Sequence, residues 1–358
     1  MAKTIYELFN AVAIATYWQA LYSNTIPYLG ETLFPSKRMS GLKLDWIKGY
    51  DRLPVMLAPS AFDTQPTLRD RGGVDTVTMK MPFFREAMRI GEEDRQQLLT
   101  LLQAGGSYAQ AIIDRLFDDA SNLIDGATVN PEVMRMSLIQ NGTISIASTN
   151  ADSGQVVNYT YNYDPNGTWT ANNTVEPATK WDSAGAKIIS DILAIKRQAS
   201  ARGVILSRAI VGTEVWAVLL TDPVIAKDIY PLAADSSISD DELKQYLQKK
   251  TGITFTVYEK MYKNLAGTDT AFMDRGKVVF LPSGAVGATY FGTTPEEADL
   301  MAGAVDCDIR IVGGGIAVGT KKESLPVNVL TWASEIVLPS FESMNAVYVI
   351  KNALTPGK

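Results

Sequence analysis

The chain has no histidine and a single cysteine, Cys307, among its 358 residues. Without histidine there is no Ser-His-Asp or Cys-His catalytic arrangement and no ordinary zinc site. One cysteine excludes an internal disulfide framework. The sequence also lacks a concentrated basic stripe: 33 basic residues against 39 acidic ones leave a net charge of −6. That opposes a nucleic-acid reader, whose affinity rests on neutralising phosphates. Glu7, Asn10, Thr16, Gln19 and Asn24 interrupt the first apolar stretch before about 20 apolar residues accumulate, so it is not read as a membrane span. Tyr17-Trp18-Gln19 occupies the place of a signal-peptide cleavage site, and a cytoplasmic product is expected.

What is present is ordinary globular composition, 46% apolar and 20% charged, in a length that suggests roughly two domains. Thr4 and Glu7 form a capping-box pattern, and Leu8, Val12 and Ala15 follow at helical spacing, predicting a helix over 5–22. It reads equally as a core helix or as an arm that packs outside its own domain. Strands are expected at Leu53–Leu57 and Val74–Met81, with the polar, turn-rich Ala61–Gly73 as a long hairpin tip between them.

From Glu92 to Ile139 the period turns helical, broken at Gly105-Gly106, and the second piece is long enough to be a strut. Residues 141–176 read as a β-hairpin region. Helices from about 183 to 201, from Thr213, and from about 240 to 250 then alternate with strands at 209–211, 255–257 and 278–281, which implies an α/β layer. Leu325–Leu330 and Ala346–Ile350 close the chain as strands.

Little of this carries chemistry. Gly313-Gly314-Gly315 departs from the dinucleotide fingerprint, since Val318 stands where the third glycine belongs, and a tight turn or an interdomain hinge is the reading. The pairs Asp118-Asp119, Asp240-Asp241 and Glu296-Glu297 read as solvated surface, because adjacent residues point apart. Cys307, between Asp306 and Asp308, reads as a packed thiol whose pKa its neighbours raise. Tyr159, Tyr161, Tyr163 and Trp169 alternate without basic residues nearby, so cross-strand packing is favoured over base stacking. No cofactor and no metal is expected.

The order of an arm, a long two-stranded loop, a long helix, an α/β segment and closing strands resembles the lambda-type major capsid proteins, the phage capsid protein E family. The residues carrying the resemblance are Asp70-Arg71-Gly72-Gly73, Pro82 to Arg89, Val211-Gly212-Thr213-Glu214-Val215-Trp216 with Asp222-Pro223, and Ser334 to Pro339 through Val347-Tyr348-Val349. The resemblance implies an α+β, HK97-like fold. Its expected parts are an N-terminal arm (1–40), an extended E-loop (41–90), and a peripheral domain with a spine helix (91–182, including the hairpin insertion 141–176, and 321–358). An axial domain (183–320) completes it.

It implies a subunit, not an enzyme, that forms hexamers and pentamers of an icosahedral head enclosing double-stranded DNA without reading its sequence. Copies of itself, portal, scaffold and sometimes decoration proteins are the implied partners, with no membrane. The implied location is the virion, after assembly in the host cytoplasm. Arg69, Asp70, Arg71, Gly72 and Gly73 are expected to touch neighbours through the E-loop, and Tyr6, Tyr17 and Trp18 through the arm. An acidic subunit repels packaged DNA, so containment falls to closure of the shell. A tail-tube or surface-layer subunit is the alternative.

Overall fold

The computed structural model describes residues 9–22, 28–47, 76–93, 96–97, 100, 107–149, 156–231, 238–304, 306–324 and 327–355. The chain divides into two compact units. The first holds 1–44, 78–135 and 288–340, and the second holds 45–77, 136–287 and 341–358.

In the first unit the strand Val327–Ser340 organises a six-stranded sheet. It pairs antiparallel with Phe83–Ile90 through residues 329–336 and with Ala288–Phe291 through 337–340. It also pairs with Ile316–Ser324, which in turn pairs with the edge strand Asp308–Val312. Ser36–Arg38 adds the other edge, parallel to Ala288–Phe291. Helix Ala11–Tyr22 and the long helix Ser107–Asn141 contribute Ile14, Trp18, Ala120 and Ile124 to a core with Phe9, just ahead of the first helix, and sheet residues such as Val318 and Ala333. At 1.5 Å per residue the 35-residue helix is about 50 Å long. Its residues 107–135 belong to the first unit and the remainder to the second.

The second unit is built on a five-stranded sheet ordered Thr174–Val175, Tyr348–Ile350, Val278–Leu281, Arg208–Val211, Thr254–Val257. The three middle strands are buried almost throughout, as strands covered on both faces must be apolar on both. Helices Ile188–Ala201, Thr213–Thr221 and Asp240–Thr251 bring Ile192, Ile195, Leu219, Leu243 and Leu247 to this core. The last helix has a complete Ser239–Glu242 capping box and ends on Gly252 in the left-handed conformation. Thr143–Thr149 and Val156–Asn162 form the hairpin expected over 141–176.

Four boundaries differ from the sequence reading. The helix expected over 5–22 is described over Ala11–Tyr22, with the Asn10 side chain accepting from the Ala13 amide at 2.9 Å; Thr4 and Glu7 lie outside the described residues. Phe83–Ile90, assigned to the E-loop, is a strand of the main sheet instead. The stretch 321–358 does not stay together: Val327–Ser340 lies in the first unit and Tyr348–Ile350 in the second. Likewise 288–320, assigned to the axial domain, joins the first unit, because the 14-residue strand gathers its neighbours by antiparallel pairing. The strand at Leu53–Leu57, the hairpin tip and Gly105-Gly106 lie outside the described residues.

Candidate functional site

The described part of the extended loop is its base, where Lys43–Ile47 and Thr76–Lys80 pair as a two-stranded sheet. Arg69, Asp70, Arg71, Gly72 and Gly73 lie outside the described residues, as does Tyr6.

Of the other two arm residues, Trp18 turns inward and Tyr17 lies half-exposed against the long helix. Trp18 is 4% exposed, and its Nε1 donates to Asp125 Oδ1 on the long helix at 2.8 Å. Tyr17 donates its hydroxyl to Asp118 Oδ1 at 2.6 Å, and that bond, with the carboxylate's charge, raises the phenol pKa. Phe117 lies between Phe9 and Tyr17 in tilted ring contacts, with centroids 5.1 and 5.3 Å away. Of the two readings of this helix, packing within its own unit is the one the structure adopts.

Its outer face is a different matter. Val12 and Leu21 are about half exposed. Val12, Thr16 and Gln19 form one wall of a groove of about 360 Å³, Leu300 adds to its lining, and residues 309–312 of the edge strand run along it. An edge strand bordering a groove of mixed polar and apolar lining is where a further chain can add. The opposite edge, Ser36–Arg38, is three residues long and exposed, with Lys37 and Arg38 blunting it.

Asp118, Asp240 and Asp241 are exposed and Asp119 is half-buried, in keeping with a solvated surface. Asp118 receives Tyr17, and Asp240 Oδ1 receives Trp216 Nε1 at 2.9 Å. Glu296 and Glu297 correct the expectation of a solvated surface: they are 8% and 6% exposed, and each is ion-paired, to Arg85 and Arg38 respectively. Thr294 caps their helix with its side chain, which holds both near the sheet. Among the described residues no cluster of three or more acidic or sulfur side chains could hold a metal ion. No described helix is long and apolar enough to cross a membrane.

Gly313-Gly314-Gly315 forms the turn of a hairpin inside the first unit, joining Asp308–Val312 to Ile316–Ser324, so the turn reading holds and the hinge reading does not. Gly313 and Gly314 have φ of 54° and 83°, and a Cβ on Gly315 would come 2.5 Å from Phe291 Cβ. Cys307 is half-buried, and burial, then the Asp306 charge, push its thiol pKa up.

In the second unit Tyr159 and Tyr161 stack at 6.4 Å, while Tyr163 is buried against Trp46 with centroids 5.2 Å apart. Burial pushes the Tyr161 hydroxyl up to about 12.

Sequence reasoning missed the buried polar set of the first unit. Glu132 and Arg135 pair at 3.3 Å on the long helix while 0% and 2% exposed, and Glu335 on the central strand is also fully buried. The available signal was charge at core spacing: Glu132 and Arg135 fall three apart on the helix, and Glu335 interrupts the apolar run from Ala333 to Leu338.

Comparison with known proteins completes the description. A family described as phage major capsid protein E matches residues 10–309. The fold is similar to the crystal structure of a putative capsid protein of a prophage of E. coli CFT073, at 16% identity over 96% of this chain and 99% of that one, TM-score 0.57. It is also similar to a phage-related protein from Bordetella bronchiseptica RB50, at 12% identity over 96% and 97%, TM-score 0.56. No curated protein gives a significant sequence match.

Proposed function

The chain belongs to the phage major capsid protein E family, a family of shell-forming structural subunits and not of enzymes, and from that membership we propose that it assembles as hexamers and pentamers into an icosahedral head around double-stranded DNA. The observation that carries this is the family match over 10–309, together with the α+β, HK97-like architecture. Portal, scaffold and sometimes decoration proteins complete the head, and assembly takes place in the host cytoplasm before the subunit resides in the virion. With a net charge of −6 the subunit as a whole repels phosphates, so the shell retains DNA by closure.

Within this reading the first unit, with most of the long helix, takes the peripheral role and residues 183–287 the axial one. Arg69 to Gly73 reach a neighbour through the E-loop. In the arm, Trp18 is already spent on its own chain, so the outer face of helix Ala11–Tyr22, with its groove and the free edge of Asp308–Val312, is the surface offered to a second copy. Several such contacts per subunit reinforce one another through effective concentration.

Electron microscopy of the purified protein tests the proposal. Rings and closed shells are expected; folded protein that stays monomeric in light scattering overturns it, and tubes or sheets favour a tail-tube or surface-layer role. Deleting residues 61–73 is expected to leave folded subunits that close no shells.

A further inference from the structure

Glu335 is 0% exposed at the seam where the long helix meets the central strand of the first unit. Asn130 Nδ2 donates to its Oε1 at 3.1 Å, and among the described residues its Oε2 has no hydrogen-bond partner. Arg135, the cation on that helix whose charge reaches Glu335, is committed elsewhere. Its Nη1 lies 3.3 Å from Glu132 Oε2 and its Nε donates to Thr289 Oγ1 at 2.8 Å, while Glu132 Oε1 accepts the Gly30 amide at 2.9 Å.

The neighbouring strands bring no compensation. Phe84 is the register partner on Phe83–Ile90; beside it Arg85 is paired to Glu296, and Glu86 is exposed and acidic. Ile316 and Ala317 end the hairpin strand at this level without charge. The titratable residue of Ala288–Phe291 is Tyr290, whose register partner Leu338 faces the other side of the sheet from Glu335.

An ionised carboxylate in such a seam is desolvated without a bound cation, so the neutral acid is favoured. Burial pushes the Glu335 carboxyl up to about 8, with the Asn130 bond and the Arg135 charge only partly opposing it. The helical hydrogen bonding is also interrupted here: Pro131, next to Asn130, has no N–H, so the Ala127 carbonyl loses its regular helical bond.

We propose that Glu335 is a proton-linked latch: the long helix closes on the sheet with the carboxyl protonated, and opening of the seam releases that proton to water as the carboxylate becomes hydrated. The Asn130 hydrogen bond gives way to water, and no covalent bond other than that O–H changes in the step. The carboxyl lies near its ordinary 4.5 when open and about 8 when closed, so the latch is strongest below the first value. Between the two, closure weakens about tenfold per pH unit. Above the second, nothing further is lost.

Hydrogen exchange of the full-length protein, corrected for intrinsic amide chemistry, tests this. In wild type the opening constant for peptides covering 120–135 is expected to rise about tenfold per pH unit from pH 5.5 to 7.5. It should level off above pH 8. Peptides covering helix Ile188–Ala201 of the second unit should stay flat, as should both regions in Glu335→Gln. A flat wild-type profile at 120–135 overturns the latch. So does a parallel rise in both helices, which is global unfolding, or a slope that survives in the variant. Should the variant not fold, the wild-type contrast between the two helices and the levelling-off decide the matter alone.

Discussion

Trp332 lies across Gly319, its register partner on the neighbouring strand: a Cβ on Gly319 would come 2.2 Å from Trp332 Cζ2. The missing side chain is what lets the indole lie flat on the sheet. Gly319→Ala is therefore expected to overpack this point and cost about 1–3 kcal/mol, read as a lower urea midpoint with unchanged slope.

The fastening of the arm helix can be divided between packing and hydrogen bonding. Trp18→Phe keeps most of the buried ring but deletes the donor to Asp125, for an expected loss of about 1 kcal/mol. Trp18→Ala also empties the pocket and should cost about 3–5 kcal/mol. Similar losses for both variants in thermal unfolding would mean that packing contributes little.

Arg135 and Glu132 are buried as a pair, so removing one charge strands the other. Arg135→Met should cost about 3–5 kcal/mol, and adding Glu132→Gln should recover a large part of it. A double-mutant cycle in urea measures the coupling; strict additivity would refute it.

Glu242 gives an acid-side prediction. Its carboxylate accepts from the Ser239 hydroxyl, the Tyr230 hydroxyl and the Ser239 amide, in that order of effect, which lowers its pKa from 4.5 to about 2. A carboxyl lowered on folding stabilises above its unfolded value and loses that contribution as pH falls through the folded one. Between pH 4.5 and 2 the melting temperature of wild type should therefore fall more steeply than that of Glu242→Gln. Parallel curves would leave the capping box with no electrostatic share.

Much of the second unit was legible because its signals are local. Val278–Leu281 is an uninterrupted apolar run, and the helix at Asp240–Thr251 carries a serine, a glutamate and a glycine at its ends. The first unit was harder. Phe83–Ile90 holds two arginines and a glutamate, and only pairing with a strand some 240 residues away makes it part of a sheet. Glu296 and Glu297 looked like surface because nothing near them in sequence announces Arg85 and Arg38. The inward turn of Trp18 likewise depends on Asp125, which no spacing rule links to it. The family resemblance supplied the architecture, while local pattern alone could not say which strands share a sheet.

The half-buried Cys307 has a consequence for any crowded array of these subunits. With its thiol held protonated by burial and by Asp306, the nucleophilic thiolate is scarce near neutrality. Stray sulfur–sulfur links between copies should form slowly, so cohesion in the array is left to reversible contacts that can still correct a misplaced neighbour.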